Sequence, residues 1–509
     1  MKYRNKVLLA LTIISLLRII YIVYTPFHLS PDEAHYWEWS RRLDLSYYSK
    51  GPFIAYVIAV FTGIFGSTEL AVRLGAVIFS ALASFVLYHL GRALSGSERT
   101  GFYSALLPAI IPLFAIGSIL MTTDVLFVFF WALSVYLIIT ALRTRSAGWW
   151  YVAGLSIGIG FLSKYTMVLI YPATFLFLLV SERDRFWLKR PAPYLASVIS
   201  AIAASPVLIW NLRNGGVTFK HTMGQAHLGS ASFSVAEPFG FFASQLGLIT
   251  PIIFMGLAYG IWRCWRSGRK EKKSVQLYFF FASAFLFFFF LFKGFHGKVQ
   301  ANWAVASYVT ALPASIWAFR AAYKKSGSKG RRLLAAAAAA GIFMGALGTT
   351  VVYCPWLLEP LGAKKILWGP PYNRVTGWTE LGQKVSEVKG EMDSRSGART
   401  FIMSDTYQIT SELAFYTLGR PVTYNVDTGS RRMNQYDLWG GFEGLKGFDA
   451  IYVKGGDAPA EAMVVGAFEG CKKEIFPVYY KGRVLKRFTI FRCLGFKGMK
   501  KGAGRQKGF

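Results

Sequence analysis

The stretch Ser30-Pro31-Asp32-Glu33-Ala34-His35-Tyr36-Trp37-Glu38-Trp39, continued by Lys50-Gly51-Pro52, follows directly on an apolar run at residues 7–25. A run of that length crosses a bilayer as a helix. Acids, aromatics and a lysine gathered just beyond it therefore mark the first extramembrane loop of a membrane protein. Ser30 reads as an N-cap, Pro31 as the first helical residue, and Glu33 closes a Ser-x-x-Glu capping box. On the short helix this predicts, Asp32, His35, Tyr36 and Trp39 share one face. The aromatics also suit an anchor among lipid headgroups. The capping box gives Glu33 a structural task and leaves Asp32 without one, which makes Asp32 the leading candidate for chemistry, with Glu33 in support.

Composition agrees with an integral membrane protein. The 509 residues are 54% hydrophobic and 17% aromatic, with only 16% charged, and the apolar residues fall in long runs. The net charge of +31 lies mostly in short basic clusters between those runs, and no aromatic–basic RNA-binding signature is present, so nucleic acid is not an expected partner. The N-terminus is basic through Lys6 and no small-residue cleavage site follows residues 7–25, which predicts an uncleaved first span. Cys264, Cys354, Cys471 and Cys493 show no paired ligand spacing, so neither a disulfide scaffold nor a zinc site is expected.

Further apolar segments lie at about 70–91, 101–117, 121–142, 149–163, 165–180, 192–211, 240–262, 276–292, 301–320 and 333–353. With the first, they predict a polytopic α-helical membrane protein of about 11 transmembrane helices plus juxtamembrane helices. The short segment 52–66, broken by Gly63 and Gly66, is expected to lie along or dip into the interface. With the N-terminus inside, the inner loops carry 23 Lys and Arg residues and the outer loops eight, an asymmetry that supports this topology. It places Asp32, Lys50, Asp124, Lys164, the loop Arg213–His227 and the run Lys293–Lys298 at the outer face. Residues 1–353 thus form a transmembrane domain with its first outer loop at 26–51, and residues 354–509 a soluble α/β domain on the same outer side. In an oxidising compartment Cys471 and Cys493 could pair. The basic, Gly-rich tail Lys497–Lys507 reads as an unstructured end.

Candidate chemistry concentrates at that outer face. Asp124, in Met121-Thr122-Thr123-Asp124, either caps the span it begins or supplies a second carboxylate near Asp32. Two such acids could orient an acceptor, tune one another's proton affinity, or hold a divalent cation, with Asp32 and Asp124 as its ligands. Lys50, Lys164 and Lys298 can each snorkel to headgroups, yet together with the two acids they suggest a cationic cradle for a lipid phosphate. His296, Asn302 and Trp303 border Lys298. His221 and His227 sit in a polar loop without metal-ligand spacing. Phosphate-binding Gly-rich loops, a Gly-x-Ser-x-Gly elbow and His-Glu-x-x-His are all missing.

An Asp-Glu pair in the first outer loop, a Lys-Gly-Pro soon after and an acid at the outer start of a later span resemble the C-type glycosyltransferases. The similarity is greatest to bacterial relatives of the protein O-mannosyltransferases and of the lipid A aminoarabinose transferase. It covers residues 1 to about 320, and Tyr424-Asn425 and Asn434-Gln435-Tyr436-Asp437-Leu438-Trp439 are similar to that group's soluble domain. The resemblance implies a multi-pass bacterial inner-membrane enzyme that takes a polyprenyl-phosphate sugar at the outer face. Its acceptor would be a hydroxyl or phosphate on a lipid, glycan or protein, as in lipid A modification or protein mannosylation. It makes Asp32 the catalytic acid, Glu33 its partner, Asp124 the second acid and Lys50 the contact to the lipid phosphate. Gly51 departs from the family, whose lysine is often followed by two prolines. Topology extends the donor-binding set to Lys164, Lys298 and His296, and the substrate-lining set to His35, Tyr36, Trp39 and Asn302.

The chemistry fits these residue types. A sugar leaving a phosphodiester needs positive charge at the departing phosphate more than a general acid. One base at the acceptor hydroxyl then suffices, unlike the paired carboxylates of glycoside hydrolysis, and a single displacement inverts the anomeric centre. The competing expectation is a carrier, a polyprenyl-lipid or solute transporter without transferase activity. A third is a structural partner in a cell-envelope complex.

Overall fold

The computed structural model describes residues 2–225, 233–362, 370–397, 399–429, 431–480 and 482–499. Among them, six helices are long and apolar enough to cross a bilayer: Tyr3–Tyr24, Glu69–Ser95, Thr123–Thr144, Ala192–Arg213, Ser274–His296 and Ser328–Tyr353. Their outward faces carry large side chains that no protein covers, such as Leu16, Leu17 and Ile20 on the first and Ile342, Phe343 and Leu347 on the last. Surfaces this apolar belong against lipid, and the chain is a multi-pass membrane protein.

The other apolar segments form shorter or interrupted helices. Residues 101–117 are split into Glu98–Leu106, a 3-10 turn and Pro112–Gly117, because Pro108 and Pro112 each remove a backbone donor. The segment 240–262, expected as one continuous span, is two helices, Ala236–Ile249 and Pro251–Lys270, bent by 105°. Pro251 bars its predecessor from the right-handed helical region, and Thr250 takes φ 71°. The segment 52–66 is a 13-residue helix, Phe53–Phe65, with Ile54, Ala55, Val57 and Ile58 buried.

The C-terminal domain is built on a five-stranded sheet in the order β2-β1-β3-β5-β4, where β1 is Thr400–Ser404, β2 Thr423–Asn425, β3 Asp449–Gly455, β4 Gly470–Tyr480 and β5 Arg483–Leu494. β1 runs parallel to β2 and β3, and β5 runs antiparallel to β3 and β4. Side chains alternate between two cores as the pleat requires. Ile402, Ile451, Val453 and Ile490 pack against the helices Trp378–Ser396 and Tyr407–Tyr416. Phe401, Met403, Tyr452 and Phe491 pack on the opposite side with Val464 and Phe468. Cys471 and Cys493 are register partners and form a disulfide.

The helix Pro31–Ser40 joins the two parts. Trp37 meets Phe415 edge-on at 4.9 Å, and Ala34, Trp37, Trp39, Ala414 and Phe415 share one core. Polar contacts reinforce the join. The Leu29 amide donates to the Tyr416 hydroxyl at 2.7 Å, the Trp378 amide to His28 Nδ1 at 3.0 Å, and the Tyr48 amide to Gln435 Oε1 at 2.7 Å. The sheet domain is thereby seated on the first loop.

Candidate active site

The predicted cap forms as read: Ser30 Oγ accepts from the Glu33 amide, and Glu33 Oε2 accepts from the Ser30 amide at 2.9 Å. This cap fixes the phase of the helix and turns Asp32 and Glu33 in different directions. Glu33, grouped above with the catalytic acids, does not line the cavity. It is fully buried, where Arg73 donates Nε to its Oε1 at 3.0 Å and Nη2 to its Oε2 at 3.1 Å, and the Met121 amide donates to Oε1 at 2.9 Å. A carboxylate so enclosed ties the first loop to two spans.

Asp32 instead borders a cavity of about 480 Å³ between the membrane domain and the sheet domain. Its Oδ1 accepts from the Tyr407 hydroxyl at 3.1 Å, its Oδ2 lies 3.9 Å from Arg374, and its side chain is 47% exposed. His35, Tyr36, Lys50, Asp124, Lys164 and Asn302 line the same cavity. Asp124 is not used as a cap, since Thr122 holds that position. One of its oxygens is paired with Lys164 and the other accepts from Asn302. Lys164 therefore spends its charge on Asp124.

Lys50 differs. Among the described residues its ammonium makes neither a hydrogen bond nor an ion pair. Burial, and then the neighbouring Lys164, hold it below the usual lysine range, with Asp124 and Asp32 acting in the opposite sense. Gly51 explains how it is placed. A Cβ there would come 2.1 Å from the carbonyl oxygen of Leu162, so only glycine lets the loop lie against the segment that leads to Lys164.

His35 is a neutral, positioning ring. Its Nε2 accepts from the Trp39 indole at 3.2 Å, leaving the proton on Nδ1, 3.0 Å from Ser411 Oγ, and burial pushes its pKa down to about 3. Trp39, expected to line the substrate site, lies beneath it. It is fully buried and stacked on Tyr47 at 4.4 Å. His296 and Lys298, expected to bind the donor, are exposed and stand outside the cavity. They lie in the turn after the helix Ser274–Lys293, and the chain reaches the cavity only at Gln300, Asn302 and Trp303. His221 lines the cavity against Tyr48, ring centres 4.8 Å apart. Burial first, then Lys50 and Arg432, lower its pKa to about 4. His227 and residues 500–507 of the basic tail lie outside the described residues.

Sequence reading missed the roof. Asp405, Tyr407, Gln408, Arg431, Arg432 and Gln435 of the sheet domain close the cavity from above. It also missed a second cavity of about 370 Å³ that shares Thr122, Asp124 and Asn302 with the first and continues among Leu87, Leu113, Val125 and Val128. Arg18, from the apolar run 7–25, is in its wall and donates to Ser80 Oγ at 3.1 Å. Among the described residues no three His, Cys, Asp or Glu side chains gather as a metal site would require.

The family model described as dolichyl-phosphate-mannose-protein mannosyltransferase matches residues 49–210. The chain is 31% identical over 304 residues to a lipid A galacturonosyltransferase of Rhizobium johnstonii, covering 60% of this chain and 63% of that protein. It is 30% identical over 176 residues to an undecaprenyl phosphate-α-4-amino-4-deoxy-L-arabinose arabinosyl transferase of Pseudomonas aeruginosa, covering 31% of each. The matches thus span less than two thirds of either relative. In fold, the chain is similar to ArnT from Cupriavidus metallidurans bound to undecaprenyl phosphate, with TM-score 0.62, 15% identity, and coverage of 95% and 97% of the two chains. It is also similar to the oligosaccharyltransferase AglB from Archaeoglobus fulgidus, with TM-score 0.55 and 13% identity, over 82% of this chain and 64% of that one.

Proposed function

We propose that this chain, which is similar to the protein mannosyltransferases and the aminoarabinose transferase among the C-type membrane glycosyltransferases, moves a sugar from a polyprenyl phosphate to an acceptor at the outer face of the inner membrane. The observation that carries the proposal is the division of charge in the cavity. Asp124 and Lys164 satisfy each other, while Lys50 is left with an ammonium unpaired among the described residues and Asp32 with an accessible carboxylate. Asp32 takes the proton of the acceptor hydroxyl, and its oxygen attacks the anomeric carbon. The bond from that carbon to the phosphate oxygen breaks, and its electron pair stays on the lipid phosphate. Lys50 holds the charge that develops there. The apolar cavity beyond Thr122, Asp124 and Asn302 takes the first prenyl units, which sets phosphate and tail in their covalent order.

A single displacement inverts the anomeric configuration. The name of the galacturonosyltransferase relative makes a lipid of the lipid A type the favoured acceptor, and the two relatives leave two sugars of opposite charge, a uronic acid and an amino sugar. The excess of Lys and Arg in the inner loops supports a sheet domain outside the membrane. Neither the relatives nor the cavity favours the carrier reading. Purified protein supplied with a polyprenyl-phosphate sugar and total envelope lipid should yield a glycosylated lipid detectable by mass. Binding of the donor without any product would remove the transferase reading.

A further inference from the structure

The cavity holds more positive than negative charge once its internal pairs are subtracted. Lys164 is matched by Asp124. Arg431 is matched by Asp437, which accepts from Nη1 at 2.8 Å and Nη2 at 2.6 Å. Asp405 is matched by Lys454 at 3.3 Å and accepts from the Tyr452 hydroxyl at 3.2 Å. Among the described lining residues, three charges stay uncompensated or nearly so: Asp32, Lys50 and Arg432. The Arg432 guanidinium makes no hydrogen bond or ion pair within the described chain.

The two cations without a partner among the described residues come from different parts of the chain, Lys50 from the first loop and Arg432 from the sheet domain. Lys50 is close to Lys164, Asp124 and Asp32, and Asp124 also lines the apolar cavity. Arg432 belongs to the roof and is close to His221 and Tyr48 instead. Both cations act to lower the pKa of His221, which lines the same cavity. On the reading proposed above, the tail leaves past Asp124 and the phosphate meets Lys50. The sugar then points towards Arg432.

We propose that the roof of this cavity selects a donor whose sugar carries a carboxylate, and that Arg432 is the residue that sets this specificity. A guanidinium offers paired donors to a carboxylate. A neutral hexose would leave it without a charged partner, and an amino sugar would meet repulsion. Neighbouring roof groups add neutral hydrogen bonds through Gln408 and Tyr407 but no second free cation. The proposal rests on the donor reading above, so its test must separate the sugar from the phosphate.

The test is equilibrium binding to the purified full-length protein in detergent, which requires no acceptor. Four probes of one prenyl length are compared: polyprenyl phosphate alone, and the same lipid carrying galacturonic acid, galactose or 4-amino-4-deoxyarabinose. The wild type should bind the galacturonic acid form roughly 10-fold or more tightly than the galactose form, as expected for one charge-assisted contact. The amino sugar should bind weakest. Arg432→Gln should erase the preference for the acid while leaving polyprenyl phosphate binding unchanged, and Arg432→Lys should restore part of it. Equal affinity of the wild type for acid and neutral sugar would overturn the proposal. So would an Arg432→Gln variant that loses all four probes alike, or one that keeps the preference, as it would if Arg432 served an anionic acceptor. Failure of the wild type to bind even polyprenyl phosphate would instead remove the donor reading itself, and this proposal with it.

Discussion

The hydroxyl of Tyr407, on the sheet domain, donates a 3.1 Å hydrogen bond to Asp32, on the first-loop helix. The two residues are 375 positions apart, so the candidate base is oriented only when both domains are assembled. A hydrogen bond to a charged group is worth about 1.5–3 kcal/mol. Tyr407→Phe should lower kcat by roughly ten- to a hundred-fold while donor affinity and expression hold. A kinetic comparison of purified Tyr407→Phe and wild type checks this, and an unchanged kcat would release Asp32 from that orientation.

Lys50 should govern the alkaline limb of the pH profile. Transfer requires its protonated form, so the rate falls as pH rises through its pKa. Burial and Lys164 hold that pKa below the usual lysine range, and the fall should come earlier than for an exposed lysine. Lys164→Gln removes the repulsion and uncovers the Asp124 charge, so the limb should move to higher pH. Lys50→Ala should reduce kcat by about 10²–10³, the scale of losing one group that stabilises developing charge.

Arg73 and Glu33 predict a different phenotype. Their ion pair is buried, with side chains 3% and 0% exposed. Arg73→Ala would leave Glu33 charged and unpaired, at a cost of about 3–5 kcal/mol. The expected result is poor yield and a lowered Tm, with near-normal turnover in any protein recovered. Wild-type stability in Arg73→Ala would contradict this structural role.

Much of this was legible in the sequence and some was not. The capping box gave the phase of the first-loop helix, and with it the separation of Asp32 from Glu33. Apolar run lengths gave the two-part architecture, and the α/β domain expected over residues 354–509 is found as the five-stranded sheet with its helices. Lys298 and His296 were misplaced because sharing a side of the membrane does not imply sharing a cavity. The bend at Thr250 was overlooked although Pro251 announces it. Tyr407 and Arg432 had no local signal. Their place depends on how a sheet domain docks on a loop hundreds of residues earlier, which periodicity and spacing do not encode.

Glu412 carries a pH signature of its own. It is buried at the seam between the domains, and neither carboxyl oxygen has a hydrogen-bond partner among the described residues. Burial raises its pKa well above the carboxylate range, with Lys486 and Arg73 opposing and Glu33 and Glu69 reinforcing. A folded pKa above the unfolded value means the native state binds the proton more tightly. This contribution is greatest below the unfolded pKa of about 4.3 and declines as pH rises towards the folded pKa. Glu412→Gln should flatten the fall in Tm as pH rises above the unfolded carboxylate range. An identical slope in the variant would show that another group controls the seam.

The most direct measurement is single-turnover transfer by purified Asp32→Asn with saturating polyprenyl-phosphate sugar and envelope lipid. The amide keeps the shape and can still accept from Tyr407, but it cannot take the acceptor's proton. Donor binding and Tm should match the wild type, while product formation falls by at least about 10²-fold, the share of a positioned base. Product formed at the wild-type rate would show that Asp32 is not the base and would contradict the mechanism.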